Sequence, residues 1–407
     1  MKETVPLKRS LSLTLITFYG IGTILGAGIY VLIGKVAAIA GIFSPLSFLV
    51  ASFLALFTAI SYAELSSRYP KSAGEAVYIQ EGLGRKSLAI MTGFAVVVVG
   101  VVSSATISKG FVGYLHVFME FPAWLTITLL VLTLGLIAIW GISESVIIAT
   151  VLTLLEIGGL VIVLWVALPS FATLPERLPE MIPPMEFPVW HGIFLGGFLA
   201  FYAFICFEDM VNVAEEVRDP SRTLPVSIIL ALVITTTLYF LVSVAAVLVM
   251  PVEKLAASDA PLALIYEHVT GQHPVVIGLI SMFAVVNGAL IQIVMASRIL
   301  YGMSRQGWLP PFLGDINVTT QTPIKATVLV TGVILMLALW LPLIMLAKIT
   351  SFITLLIFAL VNLSLLRIKH RDPLPVGVRI FPFWIPLTGF ILTALFIVFQ
   401  LFAGSFI

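Results

Sequence analysis

Long apolar runs alternate with short polar breaks along this chain, and the runs predict its elements. Eleven runs each approach the roughly 20 residues that a helix needs to cross a bilayer. They cover about 11–40, 43–65, 87–115, 122–142, 145–168, 190–214, 224–250, 274–301, 325–341, 344–368 and 383–403. Pro342 leaves almost no loop between the ninth and the tenth. The pattern predicts an all-α, polytopic membrane protein with one membrane domain over 1–407.

Two runs are interrupted. The first holds Gly20, Gly22, Gly26 and Gly28 within nine residues. A broken helix in lipid exposes unpaired backbone groups, at several kcal/mol each, unless they line a cavity or are buried in protein. The sixth run carries Gly196 and Gly197 and then two acids, Glu208 and Asp209, among Phe201, Tyr202, Phe204 and Phe207. An Asp at the centre of a spanning helix costs about 2.5–3.5 kcal/mol on insertion scales. Unwinding into a wet vestibule makes it tolerable. Runs one to five and six to ten form two sets of five, about 8–168 and 190–368, with an extra helix at about 383–403. An odd repeat length inverts the second copy, and breaks at matching positions of inverted repeats point to a transport site. The alternative for the glycines is close helix packing; for the acids it is a helix end.

Composition agrees. Hydrophobic residues make up 60% of the chain and mean hydropathy is +1.16. Only 10% of residues are charged, against about a quarter in soluble domains. No cleavable signal is evident. The single cysteine, Cys206, excludes an intrachain disulfide framework. A net charge of +1 gives no footprint for nucleic acid. Sixteen of the 21 Lys and Arg fall on one side of the ladder, among them Arg68, Lys86, Arg218, Arg222, Arg305, Lys369 and Arg379. That excess marks the cytoplasmic face. It predicts a multi-pass plasma-membrane protein with its N-terminus inside and, after eleven spans, its C-terminus outside. No phosphate-binding GxxxxGK[ST] loop occurs, and the five His residues lack metal-ligand spacing. These features argue against an ATP-driven pump or a membrane enzyme. The asymmetric pair of breaks argues against a channel, which repeats a ring of polar groups. No cofactor is expected.

Four motifs in order carry a resemblance. They are GIGTILGAGIY at 20–30, AELSSRYPKSAGEAVY at 63–78, Phe207-Glu208 through Glu215-Glu216-Val217-Arg218-Asp219-Pro220 with Pro225, and RILYGMSRQGWLP at 298–310. Together they resemble the amino acid–polyamine–organocation (APC) superfamily of transporters. The likeness is nearest to the cationic amino acid transporter branch and its bacterial relatives. The resemblance implies a five-plus-five inverted-repeat core, alternating access, and an amino acid or related amine as substrate. Most members have twelve spans, and this chain shows eleven.

An amino acid needs an anion site and a cation site. Free N–H groups and the dipole at the start of the outer half of the first helix favour a carboxylate. That places it near Gly26, Ala27, Gly28 and Ile29, with Thr23 beside them. Carbonyls at the sixth-helix break, Ala203, Phe204, Ile205 and Cys206, suit the ammonium, with Glu208 adding negative charge. Phe204 and Phe207 are candidates for an aromatic gate. A cationic side chain on the substrate stays open, as do a polyamine cargo and an exchange mode.

Glu156 lies in the middle of the fifth run, and an ionisable residue at that depth is a functional candidate. Many members that resemble this chain carry a lysine there, set against carbonyls of the first break. Here those carbonyls are Gly22 and Leu25, with Asn287 as a third wall. An ionised glutamate would repel them, so Glu156 must carry a proton or hold a cation. It is the expected coupling site for H⁺, with Na⁺ as the alternative. A hydrogen-bonded structural carboxyl is the other reading. Lys109 and Lys348 can snorkel. Glu64, Arg68, Glu215, Glu216, Arg218 and Arg298 are expected in an inner surface network, and 259–267 in a short outer helix.

Overall fold

The computed structural model describes residues 11–71, 74–140, 145–305, 307–317, 320 and 322–402. Among them the regular elements are helical: α1 (Leu13–Ala40), α2 (Ser44–Arg68), α3 (Gly74–Leu83), α4 (Lys86–Leu115), α5 (Ala123–Trp140), α6 (Ser145–Ala167), α7 (Leu174–Arg177), α8 (Phe187–Phe201), α9 (Pro220–Val249), α10 (Val252–Ala257), α11 (Pro261–Thr270), α12 (Val275–Arg305), α13 (Ile324–Trp340), α14 (Leu343–Arg371) and α15 (Trp384–Phe402). Each of the eleven expected spans is a helix; α3, α7, α10 and α11 are short connectors. The chain is an all-α, multi-pass membrane protein. Positions 141–142 of the fourth expected span, 403 of the last, and Lys2, Lys8 and Arg9 lie outside the described residues.

Local chemistry sets the ends. Ser12 caps α1 by accepting from the Leu15 N–H at 3.4 Å, and Gly41 stops the same helix at φ 61°. Prolines occupy the first turns of α2, α8, α9 and α11, where their missing N–H costs nothing. Apolar side chains cover these helices all round. Phe53, Leu136 and Trp165 face outward, while Phe198, Phe201, Phe204 and Phe207 are buried. A helix apolar on every side belongs in protein core or lipid.

The tightest pairings run α2 along α9 and α4 along α12. The α1 helix threads between α9, α6 and α8, and α5 lies on α13. The expected short outer helix forms as α11, and Lys35 reaches Asp259 just before it at 3.1 Å.

The network expected at the inner surface is instead partly interior. Glu64 is fully buried and pairs with Arg68 at 2.8 Å and Lys369 at 2.7 Å. It also accepts the Phe381 N–H at 2.9 Å. The α14–α15 loop folds over the ends of α2 and α14 and removes these charges from water. Arg218 donates its backbone N–H to the Leu11 carbonyl, at 2.9 Å. The Glu215 and Glu216 side chains lie outside what is described.

Candidate functional site

The two interrupted spans break where the sequence places the interruptions. In α1 the helical dihedrals fail at Gly26 (φ −8°, ψ −136°). The sixth span stops being α-helical at Phe201. It continues as a 3₁₀ turn, Tyr202–Phe204, an extended Ile205, a left-handed Cys206 (φ 87°) and a 3₁₀ segment, Phe207–Glu216. The breaks touch. Gly28 packs against the Ala203 backbone so closely that a Cβ would stand 2.6 Å from Ala203 Cβ. Thr23 Oγ1 lies 2.9 Å from the Gly20 carbonyl and 3.2 Å from the Cys206 carbonyl.

Between them is a cavity of about 20 Å³, enough for one water. Its walls are Thr23, Ile24, Gly26 and Gly28 from α1, Ser103 and Ile107 from α4, Tyr202, Ile205 and Cys206 from the sixth span, and Gly288, Ile291 and Gln292 from α12. No charged side chain is among this lining. Tyr202 is the aromatic that lines it, held by Ser103 Oγ at 2.9 Å. Phe204 and Phe207, the gate candidates, point elsewhere. Phe204 meets Tyr239 with ring centroids 5.1 Å apart, and Phe207 lies against Phe358 at 5.2 Å and Tyr62 at 5.6 Å. Ile29 is buried outside the lining. The Ala27 side chain lies outside what is described.

Sequence reading missed Tyr239 of α9. Its hydroxyl lies 2.7 Å from the Ile24 carbonyl and 3.0 Å from the Ala203 carbonyl, one on each break. Two of the carbonyls expected to hold an ammonium, Ala203 and Cys206, are therefore already engaged. The Cys206 carbonyl also accepts the Asp209 N–H at 3.2 Å, while the Ala203 carbonyl keeps a second lone pair.

A second cavity, of about 10 Å³, lies beyond Ile205, Cys206 and Gln292, which line both. It is acidic: Glu75, Glu208 and Asp209 line it with Thr354 and Met295. From Ser103 to Val96 on α4, and from Gly288 to Met295 on α12, its walls shift seven residues toward the helix ends at Lys86 and Arg305. That is about 10 Å of helix. Glu208 Oε2 accepts the Cys206 N–H at 2.9 Å, and Gln292 Nε2 donates to Asp209 Oδ2 at 3.1 Å. Glu75 sits on the connector α3, and burial pushes its carboxyl up to about 7.

Glu156 is buried in α6. Asn287 Nδ2 donates to its Oε1 at 3.3 Å, while Oε2 has no partner among the described groups. The Tyr30 hydroxyl holds the Glu156 backbone carbonyl. Gly22 faces Thr153, one turn before Glu156. The structure thus joins Asn287 to Glu156, but no hydrogen bond to Gly22 or Leu25 is seen among the described groups.

A chain of crossing helices, with two broken ones meeting at a small cavity, has the architecture of a membrane permease. The amino acid permease family model matches residues 11–406, and the chain belongs to that family, within the APC superfamily. It is a permease, not an enzyme. Similar proteins include the branched-chain amino acid permease BcaP of Bacillus subtilis, 30% identical over 391 residues covering 90% of this chain and 82% of the relative. The vacuolar cationic amino acid transporter 2 of Arabidopsis thaliana is 31% identical over 388 residues, 90% of this chain and 61% of the relative. The methylthioribose transporter of B. subtilis is 28% identical over 390 residues, 90% and 82% respectively.

Proposed function

We propose that this permease carries a small, uncharged α-amino acid across the plasma membrane by alternating access, driven by protons through Glu156. The observation that carries this reading is the first cavity, where both breaks meet and no charged side chain lines the wall. The second half of α1 begins at Gly26, so its first N–H groups and positive dipole end suit a carboxylate. Carbonyls of the sixth-span break, Ala203 with its second lone pair among them, suit the ammonium. Ile24, Ile107 and Ile291 leave an apolar wall for the side chain. Glu208 and Asp209 lie past Cys206 in the second cavity, which argues against a cationic side chain in the first. BcaP is named for branched-chain amino acids, in keeping with an apolar wall.

The helix pairings support the inverted repeat. α2 against α9, α4 against α12, α1 against α8 and α5 against α13 each join a span to the one five further along. The basic helix ends support a cytoplasmic N-terminus. For coupling, an ionised Glu156 would hold one amide donor and one bare oxygen away from water, a costly state without a proton or cation. One charge crossing 100 mV supplies about 2.3 kcal/mol, which at about 1.4 kcal/mol per tenfold concentrates a zwitterion roughly 50-fold.

The test is uptake into proteoliposomes with imposed pH or Na⁺ gradients, with alanine, valine, arginine and putrescine as cargo. Alanine or valine should accumulate on a pH gradient. Glu156→Gln should abolish accumulation while keeping counterflow exchange. Preference for arginine or putrescine overturns the substrate reading, and uphill uptake by Glu156→Gln overturns the coupling.

A further inference from the structure

We infer that the acidic second cavity is a separate ammonium-binding site, which receives the amino group of a substrate leaving the first cavity. The exit role rests on the proposed transport of an amino acid; the binding chemistry does not.

Three buried oxygens that line this cavity have no hydrogen-bond partner among the described groups: Glu75 Oε1, Gln292 Oε1 and Thr354 Oγ1. Their residues are 3%, 3% and 1% exposed. Unmet buried acceptors are rare, because each forfeits about 1–3 kcal/mol. Glu208 and Asp209 complete the wall, and no Lys, Arg or His lines it. A concentration of oxygen acceptors without a cation is a receptor for one. The acids do not converge: among the described residues no group of three His, Cys, Asp or Glu side chains could hold a metal ion. Spread acceptors suit the three diverging N–H bonds of an ammonium better than a bare ion.

The partition supplies the route. Gln292 Nε2 donates to Asp209 Oδ2 at 3.1 Å and to Cys206 Sγ at 3.2 Å, tying the wall shared by the two cavities. An ammonium that takes Asp209 competes with Gln292 for the same oxygen and loosens that tie. The amino group then passes from the carbonyls at the break to the acids on the far side of Cys206.

Cys206 is the chain's one cysteine and faces both cavities, so it reports on each. In purified protein its modification by cationic 2-aminoethyl methanethiosulfonate is compared with that by the anionic 2-sulfonatoethyl reagent. Both rates are normalised to a free thiol in solution. The acidic chamber should favour the cation at least about tenfold, as one-signed clefts do, and methylammonium should slow labelling. In Glu75→Gln and Asp209→Asn, each kept only if monodisperse, the ratio should fall to about threefold or less, with protection by methylammonium lost. A ratio near one in the unmodified protein, or a tenfold ratio retained in both variants, overturns the site. Alanine protection alongside a ratio near one leaves the transport reading standing and removes the chamber. A high ratio with methylammonium protection, but no protection by any amino acid, supports the ammonium site and overturns its role in exit.

Discussion

The two broken helices reach the same cavity by opposite means. In α1 the chain breaks where side chains are missing: Gly26 leaves the helix, and a Cβ built on it would meet no atom within 4 Å. In the sixth span the break falls on Cys206, a non-glycine in the left-handed region, a conformation costing about 1–3 kcal/mol. Glu208 offsets that strain by accepting the Cys206 N–H. One break is made by absent atoms, the other by a carboxyl side chain folded back on its own turn. The first is fixed by space, and the second is open to titration and ligands.

The space-built break should be the more brittle. A Cβ on Gly28 runs into Ala203 Cα and Cβ, and no rotamer change moves a backbone atom. Gly28→Ala should therefore destabilise the protein by about 3 kcal/mol or more, at the upper end for overpacking. Gly26→Ala meets no such neighbour and should show only the conformational cost. Thermal unfolding of the purified variants checks the difference. Equal effects would mean that the approach of the breaks does not depend on Gly28.

The cavity beside the side-chain-built break should carry a pH dependence, because Glu75 lines it. Burial holds the Glu75 carboxyl near 7 rather than its usual 4.5. Its folded value is the higher, so its contribution is fully present below about pH 4.5 and is lost as pH rises through 7. Stability should fall by about 3 kcal/mol over that window, and Glu75→Gln should flatten the slope. Unfolding midpoints of both proteins at pH 5 and pH 8 measure it. Glu208→Ala should cost about 2 kcal/mol, because the Cys206 N–H is left without an acceptor. Glu208→Gln keeps an oxygen there and should cost less than half as much.

This contrast also explains what the sequence made legible. The α1 break could be read because glycine is a local signal, and the sixth-span break because acids are rare in apolar runs. The eleven spans followed from run length alone. Glu75 could not be read: on α3 it looks like any polar loop residue, and only the packing of α3 beneath α14 and α4 buries it. Gln292 likewise gains its meaning from facing Asp209 across two helices. Phe204 and Phe207 pack against Tyr239 and Phe358 rather than on the cavity wall, where Tyr202 stands, and only the tertiary packing of the 3₁₀ segments decides which ring faces in. Glu64 was misplaced for the same kind of reason, since the loop that covers it lies some 300 residues away in the chain, with Phe381 against Glu64.

Tyr239 is where the two breaks stop being independent. Its ring is clamped between Phe48 and Phe204, and its one hydroxyl proton serves the Ile24 and Ala203 carbonyls in turn. Tyr239→Phe keeps the ring and removes the shared donor. The stability cost should be the smallest of this series, about 1 kcal/mol, because each carbonyl loses only half-time service from a neutral donor. The functional cost should be larger than that figure suggests, since the hydroxyl ties together the two breaks to which the proposed reading gives the carboxylate and the ammonium. Alanine affinity by thermal shift and counterflow rate in proteoliposomes should therefore fall together. If stability drops by the expected amount while both readouts hold, the breaks are positioned separately by Gly28 and Glu208, and Tyr239 only fills space between them.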